Sequence, residues 1–402
     1  MARQRTGITA PNGFTAAGIA SGIKKKAGVL DLALVHSERP GPIAGVFTKN
    51  QVVAAPVTID RAHLRKGLAQ VMLINSGCAN VCTGPAGMEA AKQMVRLAAE
   101  HFQIPAHTVF IGSTGVIGGP LPIERIVEGF PKLAARLRAA GGNEAARAIM
   151  TTDTCSKETV RRARIGGRLV TIGGMAKGSG MIHPNMATML GYLTTDAVLP
   201  QRLLQRALVK AVDQTFNCIS VDGDTSTNDT VLCLANGEAG HQPLTADSAN
   251  LRAFERLLLE ACEDLALQVG RDGEGLTKFV KIHVRGARRV SDAKRIAETI
   301  GTSCLVKTAL FGEDANWGRI MAAIGRAGVT IRPERMSLSF SGVPIMRDGA
   351  TLGAAAEQRI AKVFRRKEFT IEVELGLGEA EAHMWTTDLS YEYVRINASY
   401  RS

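Results

Sequence analysis

The stretch "GGMAKGSGMIHPNMATMLGYLTTD", Gly173–Asp196, runs from glycines and a lysine through Pro184 into an apolar segment that reads as a strand. At its centre a small residue and a hydroxyl residue, Ala187–Thr188, stand at the edge of that strand. A threonine hydroxyl is a weak nucleophile unless a base adjoins it, and one solution is the threonine's own α-amino group. That solution requires Thr188 to be an N-terminus, so the Ala187–Thr188 peptide must be cut. The chain can cut itself: the hydroxyl attacks the preceding carbonyl, the acyl group shifts from nitrogen to oxygen, and water hydrolyses the ester. Ala187 leaves room for the attack, and the flanking glycines and Pro184 admit the backbone geometry it needs. The freed amine has an unperturbed pKa of about 7.7–8.0, suited to a general base at neutral pH. The competing reading makes Thr188 the β-branched residue that opens a strand, "TMLGYLTT", and local chemistry by itself favours that one.

The rest of the chain sets bounds. Its 402 residues exceed one ordinary core, so two or three subdomains are expected. With 45% apolar and 21% charged residues it has the composition of a soluble globular protein. No apolar run is long enough to span a membrane. The start "MARQRTGITAPNGF" lacks the apolar segment of a secretory signal, which leaves the cytoplasm as the expected compartment. Seven scattered cysteines, an odd number, argue against a disulfide framework. Cys78 and Cys82 have no second pair nearby, so zinc is not expected, and most of the cysteines read as buried small residues. A net charge of +12 invites nucleic acid, but only 4% of residues are aromatic and no nucleic-acid motif occurs. The charge suits anionic metabolites and solubility instead.

Strands and helices alternate. "GVLDLALVHS" and "AQVMLINSG" read as buried strands. Met88, Ala91, Val95 and Ala98 mark a helix after "TGPAG"; Leu204, Leu208, Ala211 and Thr215 mark another after Pro200. A third carries Leu251, Phe254, Leu258, Ala261, Leu265 and Val269, with Gly270 placed to end it. "EFTIEVELG" alternates, putting Phe369, Ile371, Val373 and Leu375 on one face. The class is α/β or α+β. No G-x-S-x-G, HExxH or P-loop is present, and in "GGMAKGSG" the lysine precedes the second glycine group instead of closing the loop.

Beyond local chemistry, "KGSGMIHPNMATML" resembles the processing site of the ornithine acetyltransferases, the glutamate N-acetyltransferases of arginine biosynthesis. The resemblance continues in the same order along some 390 residues: "GFTAAGIASGIK" (13–24), "NSGCANVCTG" (75–84), "GSTGVIG" (112–118), "IMTTDT" (149–154), "VDGDTSTNDT" (221–230), "FGEDANWGRI" (311–320) and the terminal "INASYRS". One departure is Cys78, where the family motif usually has asparagine.

The resemblance implies a self-cleaving acetyltransferase. Thr188 would take acetyl from N-acetylornithine, release ornithine, and pass the acetyl to glutamate. Thr114 and Gly115 match the oxyanion hole; Thr151, Lys177, Thr188, Glu274, Asn397 and Ser402 match substrate-binding positions. Whether Thr151 or its neighbour Thr152 makes the contact is open, as is the role of His183, for which positioning is preferred over catalysis. Asp222, Asp224 and Asp229 lack the EF-hand spacing and read as a turn supporting the site. Trp317 reads as core or pocket wall. A cut at Ala187–Thr188 gives an α chain, 1–187, and a β chain, 188–402, which the family assembles as a heterotetramer of two α and two β chains. The implied fold is the layered α/β sandwich of self-processing aminopeptidases, with a smaller C-terminal α/β subdomain over about 285–402. No cofactor, metal, nucleic acid or membrane is implied. Acetyl-CoA is a candidate second donor that the motifs neither demand nor forbid. The rival reading is an aminopeptidase or amidase of the same fold, passing the acyl group to water.

Overall fold

The computed structural model describes residues 5–183 and 189–399. Ala187, Thr188 and Ser402 lie outside the described residues.

Up to residue 235 the strands are β1 (Phe14–Ile19), β2 (Leu32–Phe47), β3 (Leu68–Cys78), β4 (Val109–Val116), β5 (Lys157–Ile165), β6 (Arg168–Lys177), β7 (Leu190–Thr195), the two-residue β8 (Ile219–Ser220) and β9 (Thr230–Ala235). Helices α1 (Ala55–Leu64), α2 (Gly84–Phe102), α3 (Ile123–Ala134) and α4 (Gly142–Ala148) precede β5; α5 (Gln201–Gln214) and α6 (Ala249–Arg271) follow β7. All these strands except β8 form one sheet in the order β4-β3-β2-β9-β7-β6-β5, with β1 also paired to β2.

The sixteen-residue β2 makes this sheet two layers. Its first part pairs with β1 and β3, its last part, Ile43–Phe47, with β9, and its register against β3 shifts between His36 and Gly41. Gly41 lies so close to the carbonyl of Ala235 that any Cβ would collide with it. Alternation along the strands then divides the apolar residues by layer. In β3, Val71 and Leu73 pack towards α1–α3, while Met72 and Ile74 face inward. In β9, Val231 and Cys233 pack towards α5 and α6, while Leu232 and Leu234 face inward, joined by Leu190 and Tyr192 of β7. The order is helix, sheet, sheet, helix, which bears out the expected layered sandwich. Each fully buried large apolar side chain in these layers contributes roughly 1.5–3 kcal/mol.

The expected helices are present at α2, α5 and α6. One detail differs: α6 runs through Gly270 to Arg271. Gly270 is not a cap; a Cβ there would enter the ring of Phe279, so the glycine serves packing.

A second sheet follows, built from β10 (Phe279–Ala287), β11 (Ser337–Phe340), β12 (Val343–Arg347), β13 (Ala350–Thr351), β14 (Glu368–Glu374) and β15 (Ala380–Thr387). Its order is β13-β12-β11-β14-β10-β15-β8. Helices α7 (Val290–Gly301), α8 (Cys304–Phe311), α9 (Trp317–Gly325) and α10 (Ala354–Phe364) accompany it, and α11 (Tyr391–Ser399) ends the description. Phe369, Ile371, Val373 and Leu375 are all buried in its core, as their alternation predicts, and Trp317 packs against that core. Strand β8 is the link between the units: Ile219 and Ser220 pair with Trp385 and Thr386, so the loop that follows β8 starts at the seam between them. No helix among the described residues is long and apolar enough to cross a membrane.

Candidate active site

A cleft of about 190 Å³ opens at this seam. Its walls come from the end of β4, the end of β6, the loop 222–228, the turn after α6, and α11.

Thr114 and Gly115 end β4. Beside them β3 shifts register at Gly77–Cys78, so that Thr114 faces both Ser76 and Cys78. Gly115 has φ +131°, and a Cβ would strike the backbone of Gly77 and Cys78. A buried polar net fixes this corner. Ser113 Oγ donates to Asn75 Oδ1 (2.6 Å), Asn75 Nδ2 to the Cys78 carbonyl (2.9 Å), and Asn228 Nδ2 to the carbonyls of Ala79 (2.6 Å) and Ser113 (2.8 Å). Cys78 presents a buried thiol 3.4 Å from the Gly119 carbonyl, and burial raises its pKa while the Asn80 backbone opposes the rise.

Lys177, the last residue of β6, is 3% exposed and donates to Thr114 Oγ1 at 3.3 Å. Burial pulls its pKa down, and Asp153 is the largest influence the other way. Asp153 lies in the "TTDT" motif. It accepts from the amides of Thr151 (2.9 Å) and Gly178 (2.7 Å) and from Lys157 Nζ (2.7 Å), which also donates to Asp272 (2.6 Å). Burial pushes the Asp153 carboxyl up, but Lys177 and Lys157 together overcome it and hold the carboxyl at about 2. The result is a buried alternation of charge, Lys177, Asp153, Lys157, Asp272, that fastens the end of α6 to the start of β5 and the motif to both β5 and the end of β6.

Glu274 faces Lys177 across the cleft wall. Its amide donates to the Ser179 carbonyl (2.8 Å), and its Oε2 accepts from Asn397 Nδ2 (2.9 Å) on α11. The carboxylate fills the space that a side chain on Gly180 would occupy. Thr151 and Thr152 both line the cleft; the Thr152 hydroxyl is shared with Ser179 Oγ at 2.7 Å. The structure therefore gathers Thr114, Gly115, Thr151, Lys177, Glu274 and Asn397 around one space. His183 stands apart, with Nδ1 3.3 Å from Ser220 Oγ and Nε2 3.0 Å from Glu298 Oε1. Sequence reading passes over Asp153, Lys157, Asn228 and Tyr393. Asp153 and Asn228 lie inside motifs already singled out, whereas nothing in the spacing marks Lys157 or Tyr393. Among the described residues no group of three or more His, Cys, Asp or Glu is arranged to hold a metal ion.

Paired donors beside a buried ammonium, with carboxylates opposite, suit acyl transfer between small charged molecules, and the protein falls in the class of acyl-transferring enzymes. The chain belongs to the ArgJ family, whose model matches residues 15–402. It is 50% identical over 397 residues to the "Arginine biosynthesis bifunctional protein ArgJ" of Symbiobacterium thermophilum, covering 98% of each chain. The protein of the same name from Geobacter sulfurreducens is 48% identical over 390 residues, 97% of this chain and 99% of that one. A crystal structure of the Bacillus halodurans protein of that name aligns with a TM-score of 0.51 at 42% identity, covering 53% of this chain and all of that chain.

Proposed function

We propose that the protein moves acetyl from N-acetylornithine to glutamate through an acetyl ester on Thr188, after cutting itself between Ala187 and Thr188. The observation that carries the reading is the polarity of the cleft: Lys177 and the Thr114 hydroxyl at one end, Glu274 with Asn397 at the other. An amino acid with a cationic side chain meets a cation for its carboxylate and a carboxylate for its ammonium. The Thr114 hydroxyl and the Gly115 amide receive the oxyanion that forms at the acetyl carbonyl. Residues 188–402 make up 53% of the chain, and the solved Bacillus halodurans chain is matched in full by that same share, which supports processing into two pieces.

The word "bifunctional" in the relatives' names supports acetyl-CoA as a second donor. The pieces remain together as two α and two β chains in the cytoplasm. Incubation with N-acetylornithine alone tests the transfer: one equivalent of ornithine is released and Thr188 gains an acetyl group, which glutamate then removes as N-acetylglutamate. Steady release of free acetate, with no N-acetylglutamate formed, would instead establish the hydrolase reading.

A further inference from the structure

The loop 222–229, which reads in the sequence as a supporting turn, holds both flanks of the segment 184–188. Upstream, Asp222 Oδ2 accepts from the Met181 amide (2.6 Å) and Oδ1 from the Ile182 amide (2.8 Å). Met181 is held in the left-handed region, φ +56°, where a methionine rarely rests without such support. The Ile182 carbonyl in turn accepts from the Val221 amide at 2.8 Å. Downstream, Asp229 Oδ1 accepts from the Met189 amide at 3.0 Å, and the Thr230 amide donates to the Met189 carbonyl at 3.2 Å. The Met189 nitrogen is the atom bonded to the carbonyl carbon of residue 188, so Asp229 holds the first described residue on the downstream side of that bond.

The loop is itself anchored. Thr48 Oγ1 donates to the Ser226 carbonyl (2.6 Å), Asn50 Nδ2 to the Thr225 carbonyl (2.9 Å), and the Thr48 amide to the Asp229 carbonyl (2.9 Å). Asn228 ties it to the oxyanion strand through the Ser113 carbonyl. One anchored loop thus ties both flanks of the segment to the strand carrying Thr114 and Gly115.

We propose that this loop is a clamp on the scission segment, with Asp222 holding its upstream flank and Asp229 acting as a positioning residue for the nucleophile through the Met189 amide. Burial raises the Asp229 carboxyl well above the usual range. Its Oδ1 accepts the Met189 amide hydrogen, a role that the Oδ1 of an asparagine can fill in the same place.

The inference rests on self-scission, and the test separates the two. A wild type that is never cut removes the scission reading and the clamp with it. Given a wild type that cuts, Asp229→Asn processes and turns over within about threefold of it. Asp229→Ala slows scission and lowers kcat, each roughly ten- to a hundredfold, with the KM for N-acetylornithine held within about twofold. A folded Asp229→Ala that cuts and turns over like the wild type, or an Asn variant as impaired as Ala, overturns the clamp and leaves the scission reading standing. If the Ala variant does not fold, hydrogen exchange in the wild type decides. The Met181, Ile182 and Met189 amides exchange slowly in a clamped segment, and exchange of Met189 at the unprotected rate overturns it.

Discussion

The Lys177 ammonium stands 3.3 Å from the Thr114 hydroxyl and donates to it. A hydroxyl that accepts from a cation keeps its own hydrogen free, and that hydrogen becomes the better donor for the polarisation. On the proposed mechanism, the buried lysine prepares the threonine to receive an oxyanion.

Thr114→Val keeps the shape of the side chain and removes the donor. We expect kcat to fall by about 10²–10³, the loss typical of one oxyanion donor, with KM little changed. Steady-state kinetics on fully processed enzyme checks this; a variant with unaltered kcat would exclude Thr114 from the oxyanion hole.

Gly115→Ala meets two penalties, a φ of +131° and contact with the backbone of Gly77 and Cys78. Neither neighbour is a side chain that can swing away. The variant should lose about 2 kcal/mol of stability or more, together with most of its turnover. Urea unfolding followed alongside acetyl transfer separates the two losses.

Gly180→Ala leaves the backbone unstrained but places a methyl group where the Glu274 carboxylate lies. Glu274 must retreat from its 2.9 Å bond with Asn397. The KM for N-acetylornithine should rise about tenfold, and Glu274→Gln should have a similar effect. A Gly180→Ala enzyme with unchanged KM would show that Glu274 does not hold the substrate.

Asp153 carries a pH signature. Its carboxyl is held at about 2 in the fold, below the value of about 3.9 expected of an unfolded aspartate. A depressed carboxylate contributes fully above the unfolded pKa and loses its contribution as pH falls through the folded one. Asp153→Asn should therefore cost about 3 kcal/mol at pH 7, and the gap to the wild type should shrink as pH falls from about 4 towards 2. Urea midpoints at pH 7, 4 and 3 measure it; a constant gap would remove the ionic account.

What the sequence made legible was periodic or local. The alternation from Phe369 to Leu375 and the helical spacing of Leu251–Val269 both reappear as buried faces. Motif residues with distinctive neighbours, Thr114 to Gly115, Lys177 and Glu274, come together in the cleft. What remained hidden depends on chain crossings that no local pattern encodes. Lys157 finds Asp272 across 115 positions, and Tyr393 Oη reaches Asp222 across 171. Gly270 misleads because a glycine near the end of a helical pattern resembles a cap, whereas here it yields to the Phe279 ring.

The central claim is that the working protein is two polypeptides with Thr188 at the start of the second. Intact-mass spectrometry of the purified wild type and of Thr188→Ala measures this directly. The account gives two masses for the wild type, those of 1–187 and 188–402, and one full-length mass for the variant. A wild type that transfers acetyl while running as a single unbroken 402-residue chain would contradict it.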